Sequence, residues 1–274
     1  MFLEFLSLLV GLVTGLIAGM LGLGGGFLLV PYLNLLLGYS MHKAVGTSLL
    51  VTFFTAISAT LTYFQQKMID LRVGLTIGFA AAFGSFFGAY LTQFVSSNVL
   101  RIFFGCLAFY ASLNMIISKE KFKKKHGWDV RLFPLKLGWK RILTDKDGKK
   151  FEYFIDPFLL CFGSFFVGLI AGMLGIGGGS LEVPFLNILV GIPIHISIAT
   201  TFLMIVFSSG SGSIEHFMLE NIVFPLIIFL CVGVLVGGHL GARISSKIPA
   251  KILRKIFGFV VLTIALRMIL SFLF

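Results

Sequence analysis

Long apolar runs, each close to the length of a bilayer crossing, alternate with short polar punctuation along this chain of 274 residues. They fall near 2–22, 44–64, 73–95, 99–117, 157–176, 196–214, 222–242 and 252–273. An α-helix needs roughly 20 apolar residues to cross a hydrocarbon core, and most of these runs approach or exceed that. Backbone groups in lipid must be satisfied within the segment, so the pattern predicts helices. A β-barrel would need alternating segments of about ten residues, and these are absent. Two further runs, Phe27–Gly38 (FLLVPYLNLLLG) and Leu181–Gly191 (LEVPFLNILVG), would cover only about 18 Å as helices.

The second half repeats the first. Gly15–Gly26 reads GLIAGMLGLGGG and Gly168–Gly179 reads GLIAGMLGIGGG, eleven of twelve letters the same at an offset of 153. At that offset Pro31 falls on Pro184, Asn34 on Asn187, His42 on His195, Thr47 on Thr200, Gly84 on Gly237 and Arg101 on Arg254. The predicted fold is all-α and polytopic: two homologous repeats, each of four long helices and one short glycine-broken segment. Residues 1–117 form the first transmembrane repeat, 118–156 an insert, and 157–274 the second repeat. Short segments that re-enter would give eight crossings and parallel repeats; short segments that cross at a tilt would give ten crossings and inverted repeats. The basic residues favour ten. Arg243, Lys247, Lys251, Arg254 and Lys255 then share a face with the insert, Lys67 and Arg72, as the bias of cytoplasmic loops toward Lys and Arg requires. Both chain ends would face outward.

Composition agrees with a membrane chain. Apolar residues make up 58% and charged residues 12%, with a mean hydropathy of +1.04; a soluble domain carries about twice that charge fraction. The net charge of +11 is no sign of nucleic-acid binding, because twelve of the 22 Lys and Arg lie between Lys119 and Lys150, outside the apolar runs. Such clustering marks a cytoplasmic loop near anionic lipid. Within it, Lys140–Thr144 and Lys149–Phe154 flank a turn at Asp147 and Gly148, a hairpin pattern. Trp128 and Trp139 suit a membrane interface. The insert reads as a solvated basic loop or, alternatively, as a docking surface for a cytosolic partner. Cys106, Cys161 and Cys231 lie in apolar runs, form no CxxC and read as buried small hydrophobes. The start of the chain has no Lys or Arg before Lys43, lacks the basic opening of a secretory signal and reads as a first membrane helix.

Three consecutive glycines inside an apolar run interrupt a helix, since glycine is costly in helix interiors and permits backbone angles barred to other residues. A fresh helix start follows, with Pro31 and Pro184 about one turn in. Its free N–H groups and the positive end of its dipole point at the break. Two such breaks meeting near the bilayer midplane would bind an anion without a basic side chain. The competing reading is close helix packing by small residues. The candidate substrate-binding residues are Gly24, Gly25, Gly26, Asn34, Thr47 and Ser48 with Gly177, Gly178, Gly179, Asn187, Thr200 and Thr201. Amides and hydroxyls at these matched positions either coordinate an oxyanion or join helices.

Departures from the repeat also matter. Phe27 and Leu29 become Ser180 and Glu182, and an ionisable residue beside a break is expensive in lipid. Glu182 is a candidate for proton coupling. His239 replaces Phe86 and is a second candidate, weighed against a helix-bridging hydrogen bond. Arg267 replaces Asn114 and reads as a snorkelling anchor, or as a counter-ion to Glu182. His42 and His195 sit near a membrane edge. The pairs Gly84/Gly88 and Gly237/Gly241 read as packing motifs. No HExxH, GxSxG, Walker loop or CxxC pair is present, so no enzymatic constellation, metal site or cofactor is expected.

The GxxxGxxGxGGGxxxVP-type pattern at Gly15–Pro31 and Gly168–Pro184, followed by Ala44–Leu50 and Ser197–Leu203, resembles the TauE/SafE (sulfite exporter) permeases. The likeness covers both halves. It implies a bacterial- or archaeal-type plasma (inner) membrane permease for sulfite, organosulfonates or related small anions. Glu182 and the long insert depart from that pattern. The expected function is thus a secondary transporter for a small anion, working by alternating access. A passive anion channel, or a scaffold presenting the insert to a partner, are the alternatives. The expected partners are a small anion and the lipid bilayer but no nucleic acid, with a homo-oligomer left open and the insert cytoplasmic.

Overall fold

A computed structural model describes residues 2–117, 138–144, 148, 150–245 and 250–270. The basic run over 118–137, the turn residues 145–147 and Lys247 lie outside the described residues. Ten α-helices appear among the described residues: α1 (Phe2–Leu21), α2 (Gly26–Pro31), α3 (Met41–Gln65), α4 (Leu71–Leu91), α5 (Ser97–Ile117), α6 (Pro157–Leu174), α7 (Gly179–Pro184), α8 (Ile194–Met218), α9 (Phe224–Ile244) and α10 (Ala250–Leu270). Seven helices among the described residues are long and apolar enough to cross a membrane.

The short segments have the same construction in both halves. Each begins at a left-handed glycine, Gly25 at φ 101° and Gly178 at φ 89°. Each runs one α-helical stretch to a proline, then widens into a π-helical turn, Tyr32–Leu36 or Phe185–Leu189. Proline supplies no N–H to the ladder and crowds the carbonyl four residues back, so the ladder changes its spacing there. The closing bonds run five residues back, from Leu37 N–H to Tyr32 O and from Val190 N–H to Phe185 O, 3.2 Å each.

Direction follows from contacts. Gly11 packs on Leu230, Gly15 on Val234 and Gly19 on Gly238, so α1 and α9 run the same way. Gly84 on Phe165 and Gly88 on Leu169 give the same sense to α4 and α6. These approaches, and those of Gly237 and Gly241 to Leu12 and Leu16, bring backbone against backbone and leave no room for a Cβ. The central pair differs: Gly210 meets Phe53 and Gly212 meets Leu49, so α3 and α8 are antiparallel. So are α5 and α10, where Gly105 meets Ala265 and Ile269 while Gly258 meets Ser112 and Ile116. These two pairs stand at matching places in the sequence, and the helices of each pair run in opposite directions. The short segments return the chain between α1 and α3 and between α6 and α8.

Hydroxyls are buried among the apolar core, and large aromatic rings lie outside. Ser48, Thr52, Thr55, Ser85, Ser208 and Ser209 are buried, whereas Phe83, Phe87, Phe103, Phe162 and Phe259 are exposed. Hydrocarbon solvent selects the apolar rings outside; inside, Ser48 and Ser208 bond to carbonyls of the second glycine break, and Thr55 and Ser209 to carbonyls of their own helices. The same solvent corrects the expectation for the cysteines. Cys106 and Cys161 lie on the outer surface and only Cys231 is buried, because lipid accepts a thiol as readily as a core does.

The insert contributes a two-stranded antiparallel hairpin, β1 (Trp139–Thr144) with β2 (Lys150–Ile155), registered Trp139 to Ile155 and Thr144 to Lys150. It is not a free loop. Tyr153 and Ile155 are buried in the helical body. The Arg141 guanidinium donates to both carboxylate oxygens of Asp70, at 2.8 and 3.0 Å, and Tyr153 Oη donates to Asp70 at 2.7 Å. Asp70 also caps α4 by accepting from the N–H groups of Arg72 and Val73. Arg72 in turn lies over the Trp139 ring, 4.8 Å from its centre.

Candidate functional site

The two glycine breaks meet. Gly26 packs against the backbone of Gly175 and Ile176, Gly179 against Gly22, and a Cβ on Gly24 would lie 3.1 Å from Ile176 O. Glycine is needed here twice over, for approach and for backbone angle. Gly22, Gly24 and Gly25 have φ of 76°, 78° and 101°, and Gly175, Gly177 and Gly178 have 73°, 74° and 89°. The first intrahelical bonds are made by Leu28 to Gly25 O and by Leu181 to Gly178 O, 3.1 Å each. The N–H groups of Gly26, Phe27, Gly179 and Ser180 precede them and have no place in the helical ladder.

Hydroxyls from the antiparallel pair α3 and α8 surround the breaks. Ser48 donates to Gly175 O at 2.8 Å, and Ser208 to Gly177 O at 3.3 Å. Thr52, near the middle of α3, lies beside both Gly24 and Gly177. Its Oγ1 is buried without a hydrogen-bond partner among the described residues, and so is that of Thr201. Thr52 was not singled out by the sequence; its signal was a hydroxyl where the other copy has Ile205.

Four of the sequence-derived candidates serve the frame. Thr47 Oγ1 accepts from Val223 N–H at 3.0 Å and Thr200 Oγ1 from Asp70 N–H at 3.2 Å, which ties each central helix to the start of a helix in the other half. Asn34 and Asn187 donate to Tyr39 O and Ile192 O, 2.7 Å each, and close the turn after each short helix. Asn34 Oδ1 stays buried without a partner among the described residues.

Two frame residues escaped the sequence altogether. Tyr63 donates from its hydroxyl to Gly19 O at 2.9 Å, and His216 Nε2 lies 3.2 Å from Gly172 O. They occupy matching positions and hold matching carbonyls in the last turns of α1 and α6. A tyrosine and a histidine share reach and a polar tip but no letter, so identity between the repeats does not mark them.

Glu182 is wholly buried on α7. It accepts from Ser164 Oγ at 2.8 Å, while its Oε2 and the Ser180 hydroxyl have no partner among the described residues. His239 Nδ1 is 2.9 Å from Thr62 Oγ1, a bond that bridges α9 and α3. His42 Nε2 lies 3.0 Å from Thr92 O and Val95 O at the corner between α4 and α5, and Arg267 is exposed on α10. No group of three or more His, Cys, Asp or Glu able to hold a metal occurs among the described residues.

At the edge of the helical body, burial alone would raise the Asp70 carboxyl. Its bonds from Arg141, Tyr153 and Val73 N–H, with the Arg141 charge, outweigh burial and hold it below the ordinary carboxylate range. Burial first, then the bond to Asp70, pushes the Tyr153 hydroxyl up.

Comparison with known proteins supplies the family. The model of the sulfite exporter TauE/SafE family matches residues 7–268. The chain belongs to that family. A probable membrane transporter protein of Bacillus subtilis (strain 168), YunE, is 31% identical over 215 residues, 75% of each chain. A probable membrane transporter protein of Methanocaldococcus jannaschii is 27% identical over 224 residues, covering 78% of this chain and 74% of its own. YdhB of Bacillus subtilis, also a probable membrane transporter protein, is 27% identical over 230 residues, 84% of this chain and 85% of its own. No solved structure matches the chain. Family and relatives together make this a multi-pass membrane transporter.

Proposed function

We propose that the chain is a secondary transporter for a small oxyanion, such as sulfite or a sulfonate, working by alternating access. One observation carries the reading: two left-handed glycine breaks abut in the middle of the molecule, between Thr52 and Ile205. Amide N–H groups and unpartnered hydroxyls there suit an oxyanion and ask for no cationic side chain. The site consists of Gly24–Gly26, Gly177–Gly179, Ser48, Thr52 and Thr201, with Thr47, Thr200, Asn34 and Asn187 holding the frame around it. The reading gives the chain no catalytic role.

The two halves, residues 1–117 and 157–274, act as inverted repeats around this site. The opposite directions of α3 and α8, and of α5 and α10, support that arrangement. The insert at 118–156 lies on the cytoplasmic side of the plasma membrane. Lys67, Arg72, Arg141, Arg243 and Lys255 fall on that same side, as the bias of short loops requires.

The test is flux of labelled sulfite or methanesulfonate into proteoliposomes. Gly25→Val and Gly178→Val each place a branched residue at a positive φ beside the break. Each should lower flux by about tenfold or more while the protein still inserts and melts cooperatively, the equivalent of about 1.4 kcal/mol. Unchanged flux in a folded variant would remove the glycine breaks from the site.

A further inference from the structure

We propose that Glu182 is the proton-binding site that couples anion movement to a proton gradient, a role that rests on the transport reading above. The Glu182 side chain has 0% exposure, and its Oε1 has a single donor, Ser164 Oγ at 2.8 Å. Its Oε2 has no partner among the described residues. Both ion pairs recorded among those residues, Arg141 with Asp70 and Lys140 with Glu152, belong to the hairpin. An ionised carboxylate removed from water needs a counter-charge or several donors, and one hydroxyl is not enough. Glu182 therefore rests here as the neutral acid, its proton on a carboxyl that awaits an acceptor.

Position gives the proton a use. Glu182 lies three residues beyond the glycine triplet that ends at Gly179, on the six-residue helix α7 (Gly179–Pro184). Any rearrangement that opens this break to water on one side carries the carboxyl with it. In contact with water the acid releases its proton to solvent; closed again, it holds a proton taken up from the other side. One proton moves, and no other bond is made or broken.

The pair is not part of the shared frame. Glu182 stands where the first half has Leu29, and Ser164 where it has Gly11. The first half builds the same break and the same short helix without either, so fold does not require them. Titratable side chains on the helices packed against α7 are Cys161 on α6 and His195, Glu215 and His216 on α8. His216 is bonded to Gly172 O and Asn221 Nδ2, and the recorded hydrogen bond of Glu182 goes to Ser164. Sodium in place of a proton would need about six oxygen ligands by analogy with other hard cations. Glu182, Ser164 and Ser180 offer fewer.

Proteoliposomes holding the full chain, clamped at zero membrane potential, decide the matter. Labelled methanesulfonate is offered first, because its charge does not change with pH, and labelled sulfite in parallel. With one proton moved per anion, a gradient of about one pH unit sustains accumulation of about tenfold. Wild type should reach it, and Glu182→Gln should show none. Accumulation that persists in Glu182→Gln, or that follows a sodium gradient instead, overturns the proposal. Wild-type label that equilibrates without response to the pH gradient also overturns it, while leaving the transport reading intact. Entry of neither anion overturns both. Should Glu182→Gln fail to fold, Ser164→Ala serves, since it removes the one donor to the carboxyl. It should displace the pH profile of flux, and an unmoved profile counts against Glu182.

Discussion

Thr52 and Ile205 occupy the same place in the two halves, and the difference between them is one buried hydroxyl. A buried hydroxyl without a partner forfeits about 1–3 kcal/mol of hydration, so a fold alone gives no reason to keep it. Thr52→Val preserves volume and removes only that group. It should leave the melting temperature equal or raise it, equivalent to about 1 kcal/mol. It should also raise KM for sulfite or methanesulfonate, measured by initial flux over a concentration series. An unaltered KM would take Thr52 out of the site. At this scale the sequence was a partial guide. It marked the glycines, Ser48 and Thr201 together with Thr47, Thr200, Asn34 and Asn187, and could not say which partner each side chain takes. A side chain's partner is chosen by the direction in which the helix turns it, and neighbours such as Thr47 and Ser48 point about 100° apart.

Among elements, the hairpin is the one whose place the sequence least foretold. Two segments flanking Asp147 and Gly148 marked the hairpin, and the structure has its strands at Trp139–Thr144 and Lys150–Ile155. Its docking depends on Asp70 and Arg141, which are 71 residues apart, and nothing local to either announces the other. Arg141→Ala would leave the Asp70 carboxylate buried without its cation, at 1% side-chain exposure. Removing one partner of such a pair costs about 3–5 kcal/mol. Hydrogen exchange and limited proteolysis should then report release of 138–155 with the helices still protected. The pH dependence has a definite sign. A carboxyl lowered on folding adds stability that is complete above its unfolded value, about pH 4, and is lost as pH falls through the lower folded value. Docking should therefore be constant from neutral pH down to about pH 4 and fail only in stronger acid. Release between pH 5 and 7 would show that another group controls the hairpin.

For the whole molecule, the halves interlock instead of standing side by side. α1 lies along α9 and α4 along α6, so each half packs its first and third long helices on the other. The turns after α3 and α8 make the inversion testable. Lys67 and Glu220 are at matching positions, share a left-handed φ of 57° and 56°, and follow helices that run in opposite directions. With the three native cysteines replaced, Lys67→Cys and Glu220→Cys should react with an impermeant maleimide from opposite sides of sealed vesicles. Reaction from the same side would exclude inverted repeats and with them the facing of the two breaks.

The sequence by itself determined that this is a helical membrane protein, because transfer of apolar surface into lipid depends on composition and run length, which a string displays in full. It also determined where the helices break, because glycine and proline act on the backbone locally. Repetition at a constant offset determined that the glycine breaks and the packing pairs Gly84/Gly88 and Gly237/Gly241 would come twice. Tertiary structure alone decided that the two breaks touch and that Thr52 stands between them. It likewise decided that Tyr63 and His216 do one job and that the hairpin is held by Asp70. Each of these is a meeting between residues far apart in the chain, fixed by how helices of opposite direction pack.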